Sequence, residues 1–297
     1  MDAADFEILV VDNGSSDGSA EMLPREFPQI IVFPQERNLG FAAGCNVGMR
    51  HALANGAEYV LLINNDTIVD PRLLRALLDE AEGHQDAGMV SPKIYYHGLP
   101  DCFWWVGGTF NLWTGIPKHV DFRKRDTGNH DVARKIDWAT GCAMLIRASA
   151  LRKVGLFDEQ FFLNAEDLDL SVRMRRAGYQ IWYAPKARLW HKEGVDRRKN
   201  AVDHVNAFSG ARNLLWIMHK HATVWQWATF WPNFLFRYAG FFVVFNIFHG
   251  DLRSALGVLQ GIAAFFRMRA NPESSAPPGV VTASSKRKES LGNQGNP

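Results

Sequence analysis

The sequence predicts an α/β fold in which helices cover both faces of a mostly parallel sheet. Through the first half of its 297 residues, short apolar runs alternate with stretches of helical period. The runs are continuously apolar, as expected for strands that are buried on both faces. Glycine or Asn-Gly follows several of the helical stretches and marks where each helix ends. The alternation, the buried strands and these stop signals together indicate the fold class.

Local patterns assign the individual elements of the first half. Strands are expected at four apolar runs: residues 6–11, 30–33, 59–63 and 89–95. Helices are expected between them, at residues 17–23, 41–54 and 71–83. Residues 98–135 are rich in glycine, tryptophan and polar side chains, which indicates an insertion of loops or a hairpin.

The second half first continues this pattern and then becomes aromatic. Apolar alternation resumes at residues 136–146, a helix is expected at 166–177, and another strand is expected at 180–183. A helix at 201–220, an aromatic segment at 223–248 and an amphipathic helix at 251–268 follow. Asp251 suits the N-cap of that last helix, and one apolar stripe runs along it: Leu252, Leu256, Leu259, Ile262, Ala263 and Phe266. We expect three regions: an α/β domain at 1–200, an aromatic and basic helical region at 201–270, and a disordered tail at 271–297.

Composition and charge indicate an ordinary globular protein and argue against general nucleic-acid binding. The chain is 47% hydrophobic and 22% charged, which is ordinary for a globular protein. Its three cysteines form no CxxC pair and are expected to be reduced in the cytosol, and no signal peptide is predicted. Net charge is only +2, but residues 201–270 carry six basic against two acidic side chains. A basic, aromatic region fits an anionic membrane surface better than a nucleic acid.

The aromatic segment favours contact with a membrane surface over a complete span. Its apolar centre, residues 234–248, is interrupted by Arg237 and preceded by Pro232. A spanning helix usually needs about 20 apolar residues, so we predict an interfacial or re-entrant segment with tryptophans at headgroup depth. The alternative is an aromatic helical subdomain packed on the α/β domain or at a dimer interface, which leaves a homo-oligomer open.

Two neighbouring carboxylates, Glu166 and Asp167, are the most informative feature of the chain. They fall in the first turn of the predicted helix at 166–177, where the helix dipole favours their ionised form. A fixed, ionised aspartate at the mouth of a pocket can act as a general base. Acidic residues are also common at helix starts, so this pair alone leaves both interpretations open.

Two other segments suit a nucleotide. The segment VVDNGSSDGS, residues 10–19, brings Asp12 to the carboxyl end of a strand, where ligands bind in open α/β sheets. An Asx turn is the alternative role for Asp12. The segment RNLGFAAGCNVG, residues 37–48, has glycine at every fourth position, which leaves one helix face bare for a close approach. It is neither GxGxxG nor a P-loop, so those phosphate-binding motifs are excluded.

Two further segments suit a divalent cation beside a diphosphate. The segment LLINNDT places Asn64, Asn65 and Asp66 at the end of a predicted strand. A hard cation needs few protein ligands when phosphate oxygens supply the rest. His191 follows a short apolar run in ARLWHKEG and could add a neutral imidazole. Asp66 equally suits a helix N-cap, and a lone histidine is usually structural.

Taken in order, these motifs resemble those of the inverting family 2 glycosyltransferases of GT-A type. VVDNGSSDG, RNLGFAAGCNVG, LLINNDT, TGCAMLIR with FLNAEDLDLSVRMRRAG, and WHKEG follow one another over residues 6–195. The branch they most resemble contains the rhamnosyl- and galactofuranosyltransferases of bacterial cell-envelope polysaccharide. The resemblance implies transfer of a sugar, rhamnose above all, from a dTDP- or UDP-sugar to a saccharide or lipid-linked acceptor. It also implies a cytoplasmic enzyme peripheral on the inner face of the cell membrane.

The same resemblance implies a role for each candidate residue. Asp167 would be the catalytic base, with Glu166 contacting the sugar or the acceptor. Asp66 matches the last acid of the family's Asp-x-Asp motif, and His191 would help it bind Mn²⁺ or Mg²⁺ with the diphosphate. Four residues would line the nucleotide pocket: Asp12, Asn38, Gly40 and Asn65. Two more would lie near the donor sugar and the acceptor: Trp138 and Gly141.

Two departures from the family pattern bear on these roles. Asn64 stands at the first acid of Asp-x-Asp, so metal affinity would rest on Asp66, His191 and the diphosphate. The family's opening strand, turn and helix lie outside this sequence, so we expect either an upstream start or a truncated copy lacking a central strand. The alternative function is therefore a non-catalytic, sugar-nucleotide-binding relative.

Overall fold

The computed structural model describes residues 5–192 and 204–270, so the tail predicted at 271–297 lies outside the described residues. The strands are β1 (Leu9–Asp12), β2 (Ile31–Pro34), β3 (Tyr59–Ile63), β4 (Thr67–Val69), β5 (Ala87–Tyr96), β6 (Leu99–Trp105), β7 (Gly108–Thr109), β8 (Lys118–His119), β9 (Arg134–Ile136), β10 (Ala143–Arg147) and β11 (Gln180–His191). The helices are α1 (Ser19–Glu26), α2 (Phe41–Ala54), α3 (Leu73–Gly83), α4 (Ala148–Val154), α5 (Glu166–Arg176), α6 (His204–His221), α7 (Val224–Asn233), α8 (Phe241–Phe248) and α9 (Leu252–Ala270). A π-helical segment, Phe234–Gly240, joins α7 to α8.

The central sheet is mixed, and the prediction of a mostly parallel sheet was wrong. Its strand order is β3-β10-β5-β11-β4, with β6 beside β5 and β9 beside β11. Within the described residues β5 and β11 are its one parallel pair, and the remaining pairs are antiparallel. Strands β1 and β2 form a separate parallel pair. Continuous apolar runs report burial on both faces of a strand but not its direction, which is why the prediction failed.

Helices cover both faces of this sheet, as predicted. On one face Val90 and Leu145 pack with leucines of α3. On the other face Met89 and Met144, their neighbours along β5 and β10, pack with α2 and α5 side chains: Met49, Leu170 and Met174. Because successive side chains of a strand point to opposite faces, one buried layer lies on each side of the sheet. The α/β class is therefore confirmed.

A buried ion pair fastens the insertion at 98–135 to the sheet. Lys93 of β5 is fully buried, and its Nζ lies 2.9 Å from Asp126 and 2.6 Å from Asp131. The hydroxyl of Tyr95 donates to the same Asp126 carboxylate at 2.6 Å. These partners compensate a charge whose burial would otherwise be costly. The insertion is thereby held against β5, with which β6 also pairs.

The C-terminal helices pack with the small-residue side of α9 facing inward. A Cβ atom at Gly257 would lie 2.7 Å from the His204 carbonyl oxygen, and one at Gly261 would collide with that of Phe208. Asp251 accepts a hydrogen bond from the N–H of Ser254 at 3.1 Å and caps the helix as predicted. The predicted stripe faces outward, with four side chains between 50% and 65% exposed: Leu252, Leu256, Leu259 and Phe266. The backbones of α6 and α9 therefore approach closely, and the large side chains point away from the contact.

The aromatic segment at 223–248 is divided rather than continuous. A capping box at Thr223 begins α7, and the π-helical segment separates α7 from α8. Pro232 removes one backbone donor inside α7, near the point of division. Among the helices of residues 5–192 and 204–270, none has both the length and the apolar character needed to cross a bilayer.

Candidate active site

The two acidic candidates begin α5, directly after a turn of left-handed backbone at residues 164–165. Asp167 accepts two backbone hydrogen bonds. The N–H of Gly141 donates to its Oδ2 at 2.8 Å, and the N–H of Leu168 donates to its Oδ1 at 2.7 Å. These two donors fix the orientation of the carboxylate, as a general base requires.

Burial sets the protonation of the Glu166 and Asp167 pair. Burial raises the pKa of Asp167 to about 6, although the hydrogen bonds from Gly141 and Leu168 oppose the shift. Burial and the neighbouring Asp167 charge raise the pKa of Glu166 well above its ordinary range. Glu166 is 4% exposed, and one of its carboxyl oxygens has no hydrogen-bond partner among the described residues. Burial therefore favours the neutral form of both carboxyl groups, and the charge of Asp167 adds to this effect at Glu166.

Asp66 and His191 lie together because β4 and β11 pair. In this antiparallel register His191 is opposite Thr67, and its Nε2 lies 3.0 Å from Oδ1 of Asp66. The Asp66 side chain is 48% exposed, whereas that of His191 is 7% exposed and contacts the ring of Trp104 edge-on. One carboxylate and one imidazole thus meet at a point that solvent reaches.

The donor atoms of Asp66 and His191 fit a divalent cation that phosphate also binds. A carboxylate oxygen and an imidazole nitrogen 3.0 Å apart are both acceptable ligands for Mn²⁺, and the oxygen is a preferred ligand for Mg²⁺. In the part of the chain that the structure describes, no three or more His, Cys, Asp or Glu side chains group as a metal site. A cation at this point would take its remaining ligands from substrate and water.

One short turn of backbone, at residues 141–142, contacts both the Asp167 carboxylate and the segment that carries Asp66. Gly141 of that turn donates to Asp167, and the carbonyl of Cys142 accepts a 2.9 Å hydrogen bond from the N–H of Asn64. Asn64 directly follows β3, and Asp66 comes two residues later. The base candidate and the metal-ligand candidates therefore flank the same turn, although Asp66 lies 75 residues before Gly141 and 101 residues before Asp167 in the sequence.

Asn13, which the sequence interpretation passed over, joins the loops that carry the nucleotide candidates. Its Nδ2 donates to the carbonyl of Gly40 at 2.9 Å and lies 3.2 Å from Oδ1 of Asn38. Its Oδ1 accepts from the N–H of Leu39 at 2.9 Å. An amide at the end of a strand, directly before a glycine, was the available signal. Asn38 and Gly40 are thus held at the carboxyl end of β1.

The other two nucleotide candidates, Asp12 and Asn65, lie at the end of β1 and in the turn after β3. Asp12 is 6% exposed and accepts from the N–H of Ser15 at 2.9 Å, which is the Asx turn given as its alternative role. Asn65 is exposed in the turn between β3 and β4. Gly40 has φ 86°, and a Cβ atom there would lie 2.5 Å from the Phe162 carbonyl oxygen. The glycine therefore lets the nucleotide loop touch the segment that leads to α5.

Trp138 belongs to an aromatic cluster beside His191. Its ring is 6% exposed and lies 4.5 Å from that of Trp105 and 5.3 Å from that of His119. Trp104 approaches His191 at 4.6 Å. Burial lowers the pKa of His119 to about 4, so its imidazole is neutral at physiological pH. The insertion supplies three of these rings, to which the sequence analysis assigned no role because it predicted only loops or a hairpin at residues 98–135.

Comparison with known proteins identifies the family. A sequence profile described as "Glycosyl transferase family 2" matches residues 2–155. The chain belongs to glycosyl transferase family 2. The matched residues include the loops of Asp12 and Asn38, the turn carrying Asp66 and the Gly141 turn. Glu166, Asp167 and His191 lie beyond them.

Two curated relatives of this family 2 glycosyltransferase come from Mycobacterium tuberculosis. An N-acetylglucosaminyl-diphospho-decaprenol L-rhamnosyltransferase is 26% identical over 238 residues, which cover 74% of this chain and 76% of the relative. The galactofuranosyltransferase GlfT1 is 29% identical over 197 residues, which cover 65% of this chain and 62% of that one. The chain is therefore similar both to a rhamnosyltransferase and to a galactofuranosyltransferase.

Solved structures support the same fold for this family 2 glycosyltransferase. GalNAc-T7, crystallised with UDP, GalNAc and Mn²⁺, superimposes with a TM-score of 0.56 at 13% identity over 92% of this chain. The chain spans 52% of the GalNAc-T7 chain. S. aureus TarS 1–349 gives a TM-score of 0.50 at 15% identity, with 90% of this chain and 82% of TarS covered. The fold is accordingly α/β and GT-A-like.

Proposed function

We propose that this glycosyltransferase moves a sugar, rhamnose, from a nucleotide-diphospho-sugar to a hydroxyl of a saccharide or lipid-linked saccharide. We place the reaction in cell-envelope polysaccharide biosynthesis, on the cytoplasmic face of the membrane, and it inverts the anomeric centre. One observation carries the proposal: Asp167 is a partly buried carboxylate with a raised pKa, and the N–H of Gly141, which precedes the residue bonded to Asn64, holds it in place. The relation to the mycobacterial rhamnosyltransferase supports the choice of sugar.

In the proposed mechanism Asp167 acts as the general base. Its ionised form accepts the proton of the acceptor hydroxyl while that oxygen bonds to the anomeric carbon and the bond to the diphosphate breaks. A positioned base contributes about 10²–10⁴-fold to such a rate. Because one bond forms on the face opposite the one that breaks, a single displacement inverts the configuration. Glu166, one of whose carboxyl oxygens has no hydrogen-bond partner among the described residues, would contact the sugar or the acceptor.

Asp66 and His191 would hold a Mn²⁺ or Mg²⁺ ion together with the donor diphosphate. Such a cation, when bound, neutralises negative charge on the leaving diphosphate. The exposed Asp66 carboxylate remains open to the donor, while the edge of Trp104 limits the orientation of the His191 ring. Asn13 holds the loop of Asn38 and Gly40, on which the nucleotide would rest, and Asp12 and Asn65 are the further residues proposed to contact it.

The acceptor is proposed to be lipid-linked because the C-terminal helices present a surface suited to a membrane. We define the outer apolar surface as the strongly exposed large side chains of α7, α8 and α9: Val224, Trp225, Phe241, Val244, Phe245, Ile247, Phe248, Leu252, Leu256, Leu259 and Phe266. Arg253, Arg267 and Arg269 lie on α9 and are exposed, whereas Asp251 is the one acidic side chain between residues 222 and 270. Exposed apolar side chains with basic neighbours bind anionic bilayers at the interface. Self-association through the same surface is the competing outcome.

The first test of function is a donor screen. Purified protein is incubated with radiolabelled dTDP-rhamnose, UDP-galactofuranose or UDP-glucose, a bacterial membrane extract and Mn²⁺. We expect label from dTDP-rhamnose to enter a lipid-extractable product, and about 10³-fold more slowly with the Asp167→Asn variant. Label from UDP-galactofuranose alone would correct the donor. Binding of a donor without transfer of any label would favour the non-catalytic alternative.

A further inference from the structure

The backbone directly before Glu166 adopts a conformation that is unfavourable for its residues. Asn164 and Ala165 have φ of 68° and 71°, in the left-handed region. Asparagine enters this region more readily than other residues that carry a Cβ atom, whereas alanine does so rarely. Such backbone persists where surrounding contacts hold it in place. The contacts on this turn therefore influence where Asp167, two residues further along, is presented.

Asn213 of α6 supplies contacts of this kind. Its Nδ2 donates to the carbonyl oxygen of Leu163 at 2.8 Å and to that of Asn164 at 2.6 Å. The residue is 1% exposed, and its Oδ1 accepts from Nε of Arg212 at 2.8 Å. The amide is consequently held in one orientation, with both of its N–H groups directed at the left-handed turn.

A separate set of contacts fixes α5 and α6 to each other. Asp169 is fully buried, and its Oδ1 lies 2.8 Å from Nε2 of His221 and 2.7 Å from Nζ of Lys220, at the end of α6. Arg176, at the end of α5, donates to the carbonyl of His221 at 2.5 Å. The two helices therefore stay docked without Asn213, and the loss of its amide would release the turn and leave the helix pair assembled.

We propose that Asn213 is a positioning residue for Asp167. By holding two consecutive carbonyl groups it sets the left-handed turn, and the turn sets the direction from which α5 presents Asp167 to the N–H of Gly141. The inference rests on the proposed role of Asp167 as the general base. It extends the working site to α6, which lies beyond the family match at residues 2–155.

The decisive substitution is Asn213→Asp, which keeps the side-chain shape and removes both donors. We expect faster amide hydrogen exchange in a peptide covering residues 160–170, with unchanged protection in β5. In the transfer assay we expect kcat to fall about 10²-fold while the KM for the donor changes less than about twofold, because the base loses its alignment. Asn213→Ser gives the same test if the aspartate variant does not fold.

A matched control comes from α8. Asn246 is also a buried helical amide, and its Nδ2 donates to the carbonyl of Phe242 within its own helix at 2.7 Å. Asn246→Asp removes a donor from a similar environment without touching the catalytic turn. We expect it to change neither the exchange of residues 160–170 nor kcat.

Rescue by Ala165→Gly separates positioning from general packing. Glycine occupies left-handed backbone readily, so the turn would form without the amide that holds it. In Asn213→Asp/Ala165→Gly we expect kcat to recover about tenfold over Asn213→Asp alone. A defect caused by poor packing of α6 would not be repaired by this change in the turn.

Three results would overturn the proposal. Unchanged exchange at residues 160–170 in Asn213→Asp would do so, whether or not the wild-type protein transfers sugar. Faster exchange with an unchanged kcat would also do so, as would a failure of Ala165→Gly to restore kcat. A wild-type protein that transfers no sugar, while the exchange result holds, would instead refute the proposed function and leave the turn-holding contact intact.

Discussion

Gly141 donates its backbone N–H to Oδ2 of Asp167 at 2.8 Å, across 26 residues of sequence. The bond joins the turn before β10 to the first turn of α5. It is also one of the bonds that oppose the effect of burial on the pKa of Asp167. A Cβ atom at Gly141 would stand 3.1 Å from the ring of Phe41, so a larger residue would have to displace a neighbour. The position and the ionisation of Asp167 thus depend on a backbone amide in a confined place.

The pH dependence of transfer should report the ionisation of Asp167. Burial raises its pKa to about 6, so below that pH the group is protonated and cannot accept a proton. We expect kcat/KM to fall about tenfold for each pH unit below the midpoint and to level off above it. Initial rates at subsaturating donor across the acidic and neutral range measure this. A midpoint near 3.9, the ordinary value for an aspartate, would contradict the assignment.

Asp167→Asn should abolish transfer and leave donor binding unchanged. The amide has the size of the carboxyl group but cannot accept a proton, so kcat should fall about 10³-fold. Calorimetric titration with the donor should give a Kd close to that of the wild type. Asp79→Asn, which removes an exposed partner of Arg75, is the control and should retain full activity. Turnover that survives in Asp167→Asn would assign the base to another group.

Divalent cations should be required at Asp66 and His191. EDTA should stop transfer, and Mn²⁺ or Mg²⁺ should restore it. His191→Ala should raise the Mn²⁺ concentration for half-maximal activity by about 10–100-fold, because one ligand is lost. His84→Ala, which removes a ring stacked on Trp182, serves as the control. A rate that is indifferent to EDTA would exclude the metal.

Asp169 should make the junction of α5 and α6 sensitive to acid. Burial alone would raise its pKa, but the hydrogen bond from His221 and the charges of Arg173 and Lys220 outweigh burial and lower it to about 2. A lowered pKa stabilises the folded state above about pH 4, the unfolded value, and this contribution is lost as the pH falls through 2. Asp169→Asn should therefore reduce the free energy of unfolding by about 2 kcal/mol at pH 7 and by less near pH 2.

Urea unfolding of the wild type and Asp169→Asn at both pH values measures this difference. Asp126→Asn gives a comparison, because the pKa of Asp126 is also lowered to about 2 although it lies in the insertion. An Asp169→Asn effect of equal size at pH 7 and pH 2 would show that packing, rather than ionisation, is responsible.

The outer apolar surface should bind anionic vesicles. Each of Leu256, Leu259 and Phe266 is about half exposed, and burying the exposed half in a bilayer is worth about 1 kcal/mol. Replacing all three by serine should weaken binding about 100-fold in a flotation assay with phosphatidylglycerol vesicles. A triple serine variant at exposed apolar residues of the insertion at 98–135 is the control: Leu99, Phe122 and Val132. Concentration-dependent dimerisation that disappears in the first variant, without vesicle binding, would favour self-association.

Much of the fold could be predicted because its signals are local. Helix α2 and strand β3 have the bounds that the sequence predicts, since glycine and Asn-Gly punctuate continuous apolar runs. Strand β11 was predicted to end at residue 183 but continues to His191. It contains Pro185, and its pairing with β5 shifts register between Ala184 and Arg188. A proline within an apolar run usually indicates that a strand ends, so Pro185 concealed the continuation of β11 beyond the irregularity.

The candidate site was predicted only where the family resemblance reached it. The contact of Asp66 with His191 spans 125 residues and depends on the register of β4, a three-residue strand without an apolar run to reveal it. Asn213 carried no signal, because its role depends on the backbone conformation of a loop that it contacts in space. Local patterns specify elements, whereas these contacts depend on how distant elements meet.

The close packing of α9 on α6 makes the turn before α5 depend on residues near the C-terminus. Gly257 and Gly261 leave no room for a side chain, so a valine at either position would drive the helix that bears Asn213 sideways. Random mutagenesis should therefore yield inactive alleles in the C-terminal fifth of the chain, well away from the sugar. Such alleles would be less stable as well as inactive, because overpacking at these two positions lowers the free energy of unfolding.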